Sequence, residues 1–218
     1  MDQVELTACQ ITRSQPGPLE AGEIAHVGES KSTTKTSETF ECLKCIFFNG
    51  RSLRGNTFSD LKCLLTKEHF DIISIAETFL NKQTIDLVTE YQLHGFKFFN
   101  KDRIARGGGG VAVFRRDYLN PTLQTTPRNN TTEHLSIDLT AGPTILNFNV
   151  VYRRPGHSAD ESKDLYNSLS TTIEGKNSVI VCDFNLPNLN WTNNVGVENE
   201  SHRLLDFIDD HFMHQLVN

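Results

Sequence analysis

Residues 179–191 read VIVCDFNLPNLNW, an apolar run that meets an acid at Asp183 and then turns through Asn185 and Pro187. Val179–Cys182 has the composition of a buried strand. Asp and Asn can close such a strand simply because both bond their own backbone and begin turns. The alternative is that the strand delivers a carboxylate and an amide to a site. The other strands of the chain decide between these readings.

Three further apolar runs end in the same way. LKCIFFN ends at Asn49, DIISIAE ends at Glu77, and TILNFNVVY ends at Tyr152, with Arg153, Arg154 and Pro155 behind it. In open α/β folds, ligands collect at the C-terminal ends of strands. One polar ending is a turn, whereas four in one chain form a pattern. FKFF and VAVF supply additional strands, and LSIDL with TILNFNVVY reads as a hairpin around Ala141–Gly142–Pro143. Phe58, Leu61, Leu64 and Leu65 share one helical face, a loop or short helix is expected through Asp86, and helices are expected near 160–172 and 202–211. Strands, hairpins and helices in this order predict an α/β sandwich, two sheets faced by helices.

The 218 residues, 37% of them hydrophobic, suffice for one domain with a real core plus a tail. Residues 1–40, rich in Ser, Thr, Gly, Glu and Pro, are expected to be a disordered tail, and 41–218 to be the folded domain. The tail carries six acids and three bases, half of the net charge of −6. No run of apolar residues is long enough to span a membrane, and the acidic, polar N-terminus does not read as a secretory signal. Five scattered cysteines suit a reducing, intracellular setting; Cys42 and Cys45 have no second ligand pair at zinc spacing. Gly107–Gly110 lacks the Gly-Lys-Ser/Thr of a phosphate loop and reads as a flexible entry to VAVF that permits close backbone approach.

The strand-end residues suit phosphodiester hydrolysis. Mg²⁺ takes one or two carboxylates, keeps waters and accepts a phosphate oxygen. Glu77 can supply the carboxylate and Asn49 an amide oxygen beside it. Asp183 can orient or deprotonate a water, while Asn185 and Tyr152 can donate to the anionic phosphorane. Arg103 and Arg106, before the glycine tract, and Arg153 are candidates for contact with a DNA backbone.

NGRSL, IAETFL, GGGGVAVF, VVYRRP and CDFNLPNLNW, in this order and at these separations, resemble the endonuclease/exonuclease/phosphatase family. Within it the likeness is greatest to the apurinic-type endonuclease domain of non-LTR (LINE-type) retrotransposons, over about Leu43 to Asn218. The resemblance implies a four-layered α/β sandwich of two mixed sheets flanked by helices. It also implies a hydrolase that nicks DNA with Mg²⁺ or Mn²⁺, in the nucleus. It places Asn49 and Glu77 at the metal, Asp183 and Asn185 at the water and phosphate, and Tyr152 on the phosphate. Cys182 stands where the family has Gly, and Gly156 follows Pro155 where apurinic endonucleases carry Asn. The family's later Asp and terminal Ser-Asp-His have no counterpart before HQLVN. The resemblance therefore predicts a C-terminally truncated sandwich lacking its last strands, with an open sheet edge and weakened activity. His202, His211 and His214 are expected to be ordinary surface histidines. Two rivals stand beside this reading. One is a phosphatase or phosphodiesterase of the same superfamily acting on inositol phosphates or phospholipids, mildly favoured by the pI of 5.7. The other is a non-catalytic remnant that binds nucleic acid or a protein.

Overall fold

Ile72–Ala76, apolar but for Ser74, has all five residues buried, which demands cover on both faces. In the computed structural model, which describes residues 9–13, 43–80, 91–103, 108–124, 132–141 and 144–215, that run is strand β3, inside a four-stranded sheet. It pairs in parallel with β2 (Cys45–Asn49) and antiparallel with β5 (Val111–Arg116), and β4 (Phe96–Lys101) lies beyond β5. A parallel pair needs a crossover. Here α1 (Asn56–Lys67) supplies it and buries Phe58 and Leu61 against Ile73, Ile75 and Phe114.

The second sheet has six strands. Its centre is a parallel pair, β8 (Thr144–Tyr152) with β9 (Asn177–Asp183), joined through α2 (Ala159–Ile173). Ser158 caps α2 in a reciprocal box with Glu161, satisfying two backbone N–H groups that a helix start leaves open. β7 (Glu133–Ala141) forms the expected hairpin with β8, and β6 (Asn120–Gln124), with Pro121 beside a register shift, makes the edge where proline is tolerated. Short β10 (Leu189–Asn190) and β11 (Val195–Gly196) pair ahead of α3 (Asn199–Asp210).

Three apolar clusters define four layers. Phe47, Ile72, Val111 and Val113 of the first sheet meet Leu135, Ile137, Phe148, Val150 and Val181 of the second. Val151, Ile180 and Cys182 on the second sheet's outer face meet Leu165, Leu169, Leu204 and Phe207 of α2 and α3, with Trp191 packed against this cluster. With α1 on the far side, this is an α/β sandwich as the element order predicts, with the four layers that the family resemblance implies.

Two expectations change. Within the segment read as a disordered tail, Cys9–Arg13 forms strand β1, antiparallel to β9 from Cys9 opposite Cys182 to Arg13 opposite Ser178. The other residues of 1–40 lie outside those described, as does the element expected through Asp86. β12 (His214–Gln215) then pairs with the outer side of β1. β9 is therefore an interior strand, its backbone N–H and C=O groups paired on both sides, and the short β12 forms the sheet edge in place of the open edge expected from the sequence. Cys-Gln-Ile-Thr-Arg does alternate with the period of a strand, but five residues in a polar stretch carry little signal.

Beside this apolar cluster, part of the second sheet's outer face under α2 is polar and buried. His134 lies between Ser168 Oγ and Asn149 Oδ1, each at 2.9 Å, and Thr172 Oγ1 also donates to Asn149 Oδ1. Asn147 Nδ2 donates to Ser136 Oγ at 2.9 Å and to Asp138, which Lys176 pairs at 2.8 Å. Burial lowers the His134 pKa from its ordinary 6.5 to about 4. Between those values the unfolded chain binds a proton that the native state refuses, so stability is complete above pH 6.5 and falls on acidification towards pH 4. Urea unfolding at pH 7.5 and pH 4.5 should show a His134-linked loss of about 3 kcal/mol, absent from His134→Gln. An equal acid loss in that variant contradicts the assignment.

Candidate active site

The two parallel pairs face each other across the central core, so their C-terminal ends open on one edge. Register fixes the rest: Asn49 lies beside Ala76 at the end of β2–β3, and Tyr152 lies beside Asp183 at the end of β8–β9. Asn49 Nδ2 donates to Glu77 Oε1 at 2.9 Å and to Asp183 Oδ2 at 3.2 Å, so a single amide joins the two sheets' carboxylates. Tyr152 Oη donates to the same Glu77 Oε1 at 2.5 Å. Four of the five residues singled out from strand endings thus form one hydrogen-bonded group. Asn185 lies at its rim, where its backbone N–H donates to Asp183 Oδ1 at 3.1 Å.

Two side chains point otherwise than the sequence suggests. Asn49 Oδ1, expected to face a metal, accepts from the Arg51 N–H at 3.1 Å, because two adjacent carboxylates draw the donor end of the amide. Asn185 Nδ2 donates to the Arg153 carbonyl at 2.8 Å.

The loops at this edge hold uncommon backbone. Glu77, Phe79 and Asn185 have φ of 52°, 54° and 49°, in the left-handed region that a non-glycine residue enters at some cost. Cross-bonds hold them there: Ser52 N–H to Glu77 O at 2.8 Å, Leu53 N–H to Thr78 O at 2.9 Å, and Phe79 N–H to Gly109 O at 2.8 Å. NGRSL, AETFL and the glycine tract therefore brace one another. Gly110 shows why that tract lacks side chains. Its φ is 85°, and a Cβ there would lie 2.7 Å from Thr78 Oγ1.

Electrostatics follow from burial. Burial raises the Asp183 pKa above its ordinary 3.8, against the pull of the hydrogen bonds from Asn49 and Asn185. Burial, then the bond to Glu77, raises the Tyr152 phenol, so it remains a donor at neutral pH.

Glu133, which strand endings could not reveal because it begins a strand, also belongs here. It stands opposite Tyr152 in the β7–β8 register and is buried. Its Oε1 accepts from Arg103, and its Oε2 accepts from the Gly110 N–H. Burial raises the Glu133 pKa, opposed by these two donors, while Glu77 adds to the rise. A carboxyl at the head of a hairpin strand, brought opposite Tyr152 by the turn, was the available signal.

The three arginines expected on a DNA backbone separate. Arg103 sits at the site. Arg106 lies outside the described residues. Arg153 is a correction: it is 4% exposed and donates to Phe184 O at 3.2 Å, Ser162 Oγ at 3.3 Å and Glu200 Oε2 at 3.4 Å. A guanidinium so enclosed ties the ends of β8 and β9 to α2 and α3, and cannot meet a duplex. His202 in α3 and His214 in β12 are exposed as expected, whereas His211, at the end of α3, is half-buried with its ring 4.5 Å from that of Phe207. Among the described residues, no helix is long and apolar enough to cross a membrane.

Replacing Gly110 with Ala should test the bracing. The left-handed φ and the contact with Thr78 Oγ1 predict a loss of about 1–3 kcal/mol in denaturant unfolding. Gly156 has a φ of 70° but open space within 4 Å of where a Cβ would stand, so the same change there should cost only the left-handed backbone penalty, about 1 kcal/mol, and less than at Gly110. Equal losses at the two glycines would contradict the account.

Residues 146–218 match a family model described as endonuclease-reverse transcriptase. A search of curated protein sequences finds no match. Among solved structures, the endonuclease domain of TRAS1, a telomere-specific non-LTR retrotransposon, superposes with a TM-score of 0.57 at 12% identity, covering 78% of this chain and 71% of that one. An AP endonuclease from Archaeoglobus fulgidus gives 0.54 at 16% identity, over 78% and 70%. The 3′ phosphatase NExo from Neisseria, bound to product DNA hairpin, gives 0.56 at 15% identity, over 78% and 71%. At these identities the structural likeness establishes the fold. The chain shares its fold with these proteins, and residues 146–218, about a third of it, are similar in sequence to the endonuclease-reverse transcriptase family model.

Proposed function

We propose that the chain hydrolyses phosphodiester bonds of DNA, as a metal-dependent endonuclease of the retrotransposon type. The observation that carries this reading is the union of Asn49, Glu77, Tyr152 and Asp183 from two sheets in one hydrogen-bonded group. Strand ends that served only as turns would have no reason to converge. The DNA-acting proteins among the structural relatives support the choice of substrate.

The donor set suits Mg²⁺ or Mn²⁺. The side-chain hydrogen bonds from Asn49 and Tyr152 to Glu77 both fall on Oε1, and Asn49 needs only an amide turn to offer oxygen. Among the described residues no group of three or more His, Cys, Asp or Glu is arranged to hold an ion. A hard cation can draw its remaining ligands from water and phosphate, so one carboxylate and one amide oxygen suffice from the protein. When bound between Glu77 and Asn49, the ion would polarise a phosphate oxygen as a Lewis acid.

The chain's own groups do the rest. Asp183 takes a proton from the attacking water, whose oxygen bonds to phosphorus as the bond to the leaving oxygen breaks, and the departing alkoxide takes a proton from solvent water. Tyr152, held protonated, donates to a non-bridging oxygen, and Asn185 donates once it leaves the Arg153 carbonyl. Preformed donors aimed at developing charge are worth more here than in water.

Nicking of supercoiled plasmid in Mg²⁺ should fall about a hundredfold or more with Asp183→Ala and should stop with a chelator. Its acid limb should lie above pH 3.8, because buried Asp183 must be ionised to accept the proton and its pKa is raised. Folded protein that does not nick, or nicking indifferent to Asp183, would overturn the reading.

A further inference from the structure

Arg103 is held more elaborately than a solvated loop residue requires. Its Nε donates to Glu133 Oε1 at 2.7 Å, and Nη2 donates to the same oxygen. Its Cζ lies 5.9 Å from the centre of the Tyr152 ring, within cation–π range. On its other side is the Gly109 backbone, where a Cβ would come within 2.5 Å of Arg103 Cζ. Gly109 has φ of 73° and its missing side chain makes room for the guanidinium plane. The second oxygen of Glu133 is fixed by the Gly110 N–H, so the clamp is itself anchored to the braced loops. The Arg103 side chain is nevertheless 22% exposed, and Nη1 takes no part in the Glu133 pair.

The charge balance gives this clamp a purpose. Glu77 and Asp183 are bridged by a neutral amide, and Glu133 adds a third carboxyl near Glu77. A polyanionic strand entering there needs positive charge besides a metal ion. We propose that Arg103 is the phosphate-binding arginine of this site, with its Nη1 edge taking a non-bridging oxygen of the DNA backbone phosphate next to the one hydrolysed. Glu133 is its positioning residue, aligning the guanidinium over the Tyr152 ring. This rests on the endonuclease reading and deepens it. An arginine suits the task because its planar fork serves the carboxylate and a phosphate at once, which a lysine cannot do.

The test uses the full chain and a fluorescein-labelled duplex oligonucleotide, with anisotropy read across a salt series in the Asp183→Ala background to prevent cleavage. Arg103→Gln, which retains a donor to Glu133 but no charge, should weaken binding about tenfold and reduce the slope of log affinity against log salt by about one. Glu133→Gln should weaken binding less, and the double variant should be no weaker than Arg103→Gln alone, since both act through one contact. Arg103→Lys, which keeps the charge, should preserve the salt slope while losing affinity. Thermal melts confirm that each variant is folded. An unchanged affinity and slope for Arg103→Gln overturns the phosphate contact, and losses that multiply in the double variant overturn the positioning role. If Asp183-dependent nicking holds while either occurs, this inference alone falls. A wild-type chain that neither binds nor nicks duplex DNA removes both.

Discussion

Everything at the candidate site depends on the face-to-face packing of two sheets, one with a parallel pair at its edge and one with a parallel pair at its centre. A parallel pair sends both C-terminal ends the same way, and here β2–β3 and β8–β9 send all four to one edge of the sandwich. The intersheet core sets their separation. Phe47, Ile72, Val111 and Val113 on one side and Phe148, Val150 and Val181 on the other fill a layer with little exposure to water. Asn49 then spans the gap with one amide nitrogen, reaching a carboxylate on each sheet. Thinning or thickening that layer by a methylene moves the two carboxylates relative to each other before it unfolds anything, since close-packed interiors transmit such changes.

Around this edge the protein holds backbone that would be unfavourable elsewhere. Left-handed Glu77, Phe79 and Asn185 sit within a web of loop-to-loop hydrogen bonds, and glycines at 109 and 110 let Arg103 and Thr78 approach the main chain. Local strain of this kind persists where surrounding structure overdetermines it, and it concentrates where side chains must be aimed. Arg153 contributes from behind. Enclosed by Ser162, Phe184 and Glu200, it fixes the β8–β9 ends to the helical layer, so Tyr152 and Asp183 rest on a rigid support.

The sequence made much of this legible, for identifiable reasons. Long apolar runs such as Ile72–Ala76, and the helical spacing of Phe58 and Leu61, reveal the main strands and α1 because burial writes directly into composition. Polar endings reveal Asn49, Glu77, Tyr152 and Asp183, since a strand end is a position that sequence shows. Glu133 escapes because it begins its strand, and its importance arises only from facing Tyr152 across a hairpin. Arg153 reads as a surface cation, because a charge in sequence carries no sign of the Glu200 and Ser162 that enclose it. β1 is hidden by its polar neighbours, and the buried network around His134 by side chains that resemble those of an exposed sheet face.

The proposed hydrolysis requires that the converging strand ends bind one divalent cation between Glu77 and Asn49. Titration of the chain with Mn²⁺, followed by electron paramagnetic resonance of the free ion in the presence of duplex DNA, tests it most directly. One site per chain, weakened tenfold or more by Glu77→Gln and little affected by Glu68→Gln at the exposed ion pair with Lys44, is the predicted result. Binding that is absent, or that ignores Glu77, would contradict it.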